Sequence, residues 1–141
     1  MNERLSNQWD RLCDRWSAEG YASLSDDEKV WLNVRALIDS VENSGLISYF
    51  YNSGADTYED CLSALRRLKA VEVVDQVSRL GALFGDAVPS SLEERNVIIN
   101  SWSDEGQENE VAEEADEVLM PLMAGLDKQL DEYLLRQGFG R

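Results

Sequence analysis

Apolar residues recur at helical spacing along nearly the whole chain, and turn residues break them into segments. Leu5, Trp9, Leu12, Cys13 and Trp16 form one stripe, and Gly20 ends it. Ser25 followed by Glu28 has the pattern of a capping box, with Asp26 and Asp27 suiting the positive end of a helix. Val30, Trp31, Val34, Leu37, Ile38 and Val41 then define a second helix that runs to Gly45. Leu46, Ile47, Tyr49, Phe50 and Tyr51 make a short, very apolar third helix. Asn52-Ser53-Gly54 supplies the turn or left-handed conformations that stop it.

Thr57 with Asp60 suggests the next cap, ahead of Tyr58, Cys61, Leu62, Leu65 and Leu68. A turn near Lys69-Ala70 leads into Val71, Val74, Val77 and Leu80, which end by Gly85. Pro89-Ser90, with Glu93 three residues after the serine, starts a helix carrying Leu92, Ile98, Ile99 and Trp102 inward. The polar stretch Ser103 to Asn109 is a predicted loop. Val111, Ala115, Val118 and Leu119 form a further stripe, and Leu122, Leu126, Leu130, Tyr133 and Leu134 form the last. Pro121 disfavours helix at Met120 and predicts a break there, while Gly138 to Arg141 is expected to fray. No segment alternates with period two. The pattern predicts an all-α fold, a compact single domain of seven to eight short helices over residues 1–141, with an acidic segment at 103–118 and a C-terminal helix at about 121–137.

Composition sharpens this. The chain has 141 residues, enough to bury a core without metal or disulfide, and 43% of them are hydrophobic, as in ordinary globular proteins. Thirteen Lys and Arg against twenty-eight Asp and Glu leave a formal charge of −15. That balance argues against direct contact with nucleic acid or an anionic membrane and favours a basic partner, or serves solubility alone. Cys13 and Cys61 lie far apart on apolar faces and read as packed, reduced thiols in a cytoplasmic protein. No signal peptide or membrane span is legible.

The search for reaction chemistry returns little. The absence of histidine removes the commonest general base and the usual partner of a nucleophilic Ser or Cys. Neither GxxxxGK nor GxGxxG occurs. Were Gly106 the sixth position of a calcium loop, Ala112 would stand where the bidentate Glu belongs, so that reading fails. Asp56, Glu59 and Asp60 could run acid–base chemistry if burial split their pKa values. Acids in a first helical turn, however, ordinarily serve the helix dipole. Tyr49, Phe50, Tyr51 and Tyr58 could line a pocket, although aromatics at helical spacing more often fill a core. Cys61 lacks any neighbour that would lower its pKa, and Glu59 and Asp60 act the other way. No enzyme activity, cofactor or metal is expected.

One stretch is unusual. Between Arg95 and Lys128 there is no cation, and nine carboxylates occur: Asp104, Glu105, Glu108, Glu110, Glu113, Glu114, Asp116, Glu117 and Asp127. Glu110, Glu113, Glu114 and Glu117 share one helix face, where like charges oppose the helix by roughly 0.2–0.5 kcal/mol per pair. The arrangement does nothing for folding. Carboxylates so placed are anchored about 5–6 Å apart, similar in scale to phosphates advancing about 3.4 Å per residue along one DNA strand. They could meet Lys and Arg side chains built for phosphate. Glu110, Glu113, Glu114 and Glu117 are thus the central candidates for partner binding, with Asp104, Glu105 and Glu108 in support.

The stretch Asp27-Glu28-Lys29-Val30-Trp31, the run Asn43 to Gly54 and Cys61-Leu62-Ser63-Ala64-Leu65 together resemble the DMP-type DNA-mimic family of small acidic bacterial helical proteins. The family pattern is a helix, an Asn/Gly-rich turn, an aromatic pair, then Asn-Ser and another helix. Asn43, Gly45, Tyr49, Phe50, Asn52 and Ser53 occupy those places, over a core of about residues 25–85. Where the family tends to carry Gly in the turn after the following helix, this chain has Lys69. The resemblance implies an all-α fold and, for one branch, an acidic surface that occupies the DNA-binding face of a helix-turn-helix regulator. The leading expectation is a non-enzymatic acidic protein that competes with DNA for a basic partner. Alternatives are an immunity or antitoxin-type protein that neutralises a basic nuclease, and a small-molecule-binding domain at Tyr49, Tyr51, Asp56 and Tyr58. Exposed apolar faces would also support a homodimer.

Overall fold

The computed structural model describes residues 1–141 and contains eight α-helices and no strand. They are α1 (Glu3–Glu19), α2 (Asp26–Ser44), α3 (Leu46–Tyr51), α4 (Tyr58–Arg67), α5 (Val71–Gly81), α6 (Leu92–Asn100), α7 (Gln107–Leu119) and α8 (Met123–Arg136). Four short 3-10 segments lie at Tyr21–Ser23, Ser53–Thr57, Ala82–Phe84 and Met120–Leu122. No helix is long and apolar enough to cross a membrane.

Helix α2 is the axis of the molecule and packs against α3, α4 and α8. Helix α5 bridges α4 and α7, while α6 lies on α3. One connected apolar core runs through every helix except α6. Its centre is α2, where Val34, Leu37, Ile38 and Val41 are all completely buried. The ends of the helices are set locally. Asn2 Oδ1 accepts the Leu5 N–H at 2.7 Å. The capping box forms as its residues predict, with Glu28 N–H donating to Ser25 Oγ and Ser25 N–H to Glu28 Oε1. Gly20 and Gly45 take φ of +88° and +92°, which turn the chain sharply after α1 and α2.

Several local expectations are corrected. Asn52-Ser53-Gly54 stops α3 with a 3-10 turn and without left-handed residues, Asn52 donating its side-chain amide to Ser48 O. Thr57 precedes α4 but its hydroxyl donates to Asn33 Oδ1 at 2.6 Å and caps nothing. Helix α5 is rotated relative to its apparent stripe: Val73, Val77 and Leu80 are buried, whereas Val71 is exposed as the first residue of the helix. Ser91, not Ser90, caps α6 by accepting the Glu94 N–H. Helix α7 begins at Gln107, so the loop is shorter than Ser103 to Asn109, and Ala112 replaces Val118 in its inner stripe. The C-terminal residues do not fray. Gly138, at φ +95°, lets Phe139 N–H return to Leu134 O, and the Phe139 ring packs on Trp31 at 5.4 Å.

Arg95 is the one fully buried cation. Its guanidinium donates to Phe50 O, Asn52 O and Pro89 O at 2.9 Å each, and to Asp56 Oδ1 at 2.7 Å. A buried charge is tolerated only when paired and hydrogen-bonded. Here it ties the end of α3, the Ser53–Thr57 turn and the approach to α6 into one unit.

Candidate acidic binding face

The acidic region is anchored at both ends. Trp102 packs on Phe84 at 5.2 Å, and Asn109 donates to Asp104 O at 2.8 Å and to Glu113 Oε1 at 3.3 Å. The turn between them is closed by Gly106 N–H on Ser103 O. The loop carrying Asp104 and Glu105 is therefore tied to the first turns of α7. Val111, Ala112, Ala115 and Leu119 bury the inner face of that helix.

Glu110, Glu113, Glu114 and Glu117 all lie exposed on the outer face, as do Asp104 and Glu105 in the loop, with Glu108 partly covered. Only Glu114 of these seven has an ion-pair partner, Arg79 Nη2 at 3.1 Å. Both side chains of that pair are more than half exposed, where such contacts contribute little. The row from Glu110 to Glu117 covers about 10 Å of helix axis, roughly three phosphate steps along one DNA strand.

Asp116 stands apart. It turns away from the row and accepts the Leu46 N–H at 2.8 Å. The residue before Leu46 is Gly45, which has no side chain to cap α3, so the cap comes from α7 instead. A Cβ on Gly45 would sit 2.6 Å from Asp116 Oδ2, so the carboxylate fits only above a glycine. Asp127, the ninth acid of the stretch, pairs with Arg35 at 2.9 Å.

The other candidates disperse. Asp56 is held by Arg95, and Asp60 accepts the Tyr21 hydroxyl at 2.6 Å, while Glu59 points to solvent. The three carboxylates are thus bound to different partners and form no pair. Tyr49 and Phe50 are fully buried and Tyr58 nearly so, with Phe50 packed on Tyr58 and Phe84, so these aromatics fill core and line none of the main cavities. Tyr51 lies at the surface and donates to Asn100. Cys61 is fully buried, and that burial pushes its thiol up to about 12, which disfavours the thiolate a nucleophile needs. The cause is burial and not the charges of Glu59 and Asp60.

Two features escaped the sequence reading. One is the inward role of Asp116, which the 3.6-residue period puts beside the row but which only the place of α3 explains. The other is a cleft of about 320 Å³ between α1, α2 and the Ser53–Thr57 turn. Trp9, Cys13 and Trp16 share one helix face in the sequence, and in the fold they form one wall of this cleft, with the Trp16 indole 40% exposed.

Residues 22–137 match the model of a family described as DMP19-like protein. The match runs from the turn after α1 through α8 and leaves α1 outside it. No curated protein and no solved structure matches the chain.

Proposed function

Because this chain belongs to the DMP19-like protein family, we propose that it is a non-enzymatic acidic protein that occupies the DNA-binding surface of a basic partner such as a helix-turn-helix transcription regulator. A shared fold supports a family and not by itself a function. The observation that carries the reading is the ordered row Glu110, Glu113, Glu114 and Glu117, exposed on one face of α7 and countered by a single surface arginine. Such regulators set Arg, Lys and backbone N–H groups against phosphate oxygens to fix themselves on the duplex. Carboxylates at comparable intervals offer those same donors an acceptor. Asp104, Glu105 and Glu108 extend the row from the loop side.

The experiment is titration of a purified helix-turn-helix regulator with the wild-type protein and with the double charge reversal Glu113→Lys and Glu117→Lys. The wild type binds, weakens as salt rises from about 0.05 to 0.5 M, and is displaced by the regulator's operator DNA. Charge reversal places like charges opposite the partner, which cost several kcal/mol in such interfaces, and lowers affinity by about a hundredfold or more. Unchanged affinity would remove these residues from the interface.

A further inference from the structure

The cleft between α1 and the body of the molecule plays no part in that reading and has chemistry of its own. Its volume of about 320 Å³ lies at the small end of the range for ligand sites. Aromatic surface dominates one side: Trp9, which leans on Trp31 at 5.4 Å, the exposed indole of Trp16, and Tyr21. This wall comes largely from α1, which lies outside the family-matched residues.

The polar groups of the cleft are mostly committed. The Asn33 amide donates to Lys29 O and to the Tyr21 hydroxyl, and its oxygen accepts from Thr57. Arg35 is largely covered and its charge is balanced by Asp39 at 3.2 Å and Asp127 at 2.9 Å. What remains open is acceptor capacity. Asp39 and Asp56 are each engaged through Oδ1 alone, leave Oδ2 without a partner, and have side chains about half exposed, at 58% and 45%. The field has the same sign. Burial and the neighbouring Asp10 and Asp14 carboxylates push the Cys13 thiol of the wall above its ordinary value, which disfavours an anion there.

We propose that this cleft binds a small flat organic cation, an aryl amidinium or guanidinium, with its ring against Trp16 and its charged head at the free Oδ2 oxygens of Asp39 and Asp56. Flat cations gain from both halves of such a site, since an indole face attracts positive charge and a carboxylate accepts the N–H donors of the fork. A neutral analogue of the same shape keeps only the stacking. An anionic analogue meets two carboxylates.

The test uses the full chain, labelled with 15N, and benzamidine, benzamide and benzoate as matched probes. Benzamidine produces saturable shifts at the indole N–H signals of Trp9 and Trp16 and at the Gly54 and Thr57 amides, and leaves those of Trp102 in place. Benzamide binds at least about tenfold more weakly, and benzoate shows no saturation. Asp39→Asn weakens benzamidine at least about fivefold. Trp16→Ala, at a surface position, does the same while the thermal melt is unchanged. Glu113→Lys with Glu117→Lys leaves benzamidine binding intact, so the site stands or falls apart from the acidic face. Equal binding of benzamide and benzamidine overturns the proposal. So does a response confined to the α7 backbone amides, or tighter binding of N-acetyl-arginine amide than of benzamidine, which would assign the cleft to a partner's side chain.

Discussion

Lys69 is the only residue other than glycine at positive φ, at 59°. It closes α4 in a Schellman motif, with Ala70 N–H on Leu65 O and Lys69 N–H on Arg66 O at 3.0 Å each. A side chain in the left-handed region costs roughly 1–2 kcal/mol, and glycine recovers part of that against its larger unfolded entropy. Lys69→Gly is expected to raise stability by about 0.5–1 kcal/mol, read as a higher urea midpoint at unchanged m value. The turn itself was legible in the sequence, as the break between the stripe ending at Leu68 and the one starting at Val71. Arg95 was not legible. Between Glu94 and Asn96 it reads as a solvated helix charge, and its burial arises only because α6 crosses the end of α3, where Phe50 O and Asn52 O need a donor.

The acids of α7 do different work although they share one helix. Asp116→Ala removes the cap of α3 and is expected to cost about 0.5–2 kcal/mol. Glu113→Ala or Glu117→Ala relieves repulsion and is expected to be neutral or stabilising by about 0.2–0.5 kcal/mol. Thermal melts of the three variants at low salt give the order; a larger loss at Glu113 than at Asp116 would contradict it. Elements with strong stop signals were well read: Gly20, Gly45 and the Ser25–Glu28 box fixed α1 and α2. Errors fell where neighbouring residues offer equivalent choices. Ser90 and Ser91 both fit a cap, and four valines in the α5 region allow two faces, which only packing against α4 and α7 distinguishes. The row itself was visible from spacing alone, because charge and period survive without tertiary context.

At the scale of the molecule, tyrosines make folding sensitive to alkali. Burial, with the Asp60 contact in the case of Tyr21, pushes Tyr21 and Tyr58 up to about 12, and Tyr49 is also raised by burial. Each holds its proton more tightly in the folded chain than in the unfolded one, where the value is near 10. That share of stability is fully present below pH ~10 and is lost as pH rises through ~12. Helix content by circular dichroism and tyrosinate absorbance should therefore change together in that window. Tyrosinate formation that is complete before helix is lost would show that these hydroxyls titrate freely.

The carboxylate of Asp116 beneath Leu46 has a kinetic consequence. It holds α7 against α3 at one rotation about its own axis, so under the proposed function the outward acids would need no reorganisation to meet a partner, and encounter would be governed by diffusion and long-range attraction. The Leu46 amide hydrogen is then a built-in clock. Its exchange with deuterium counts how often the helix lets go, and a partner that clasps the far side of α7 slows that clock from across the helix.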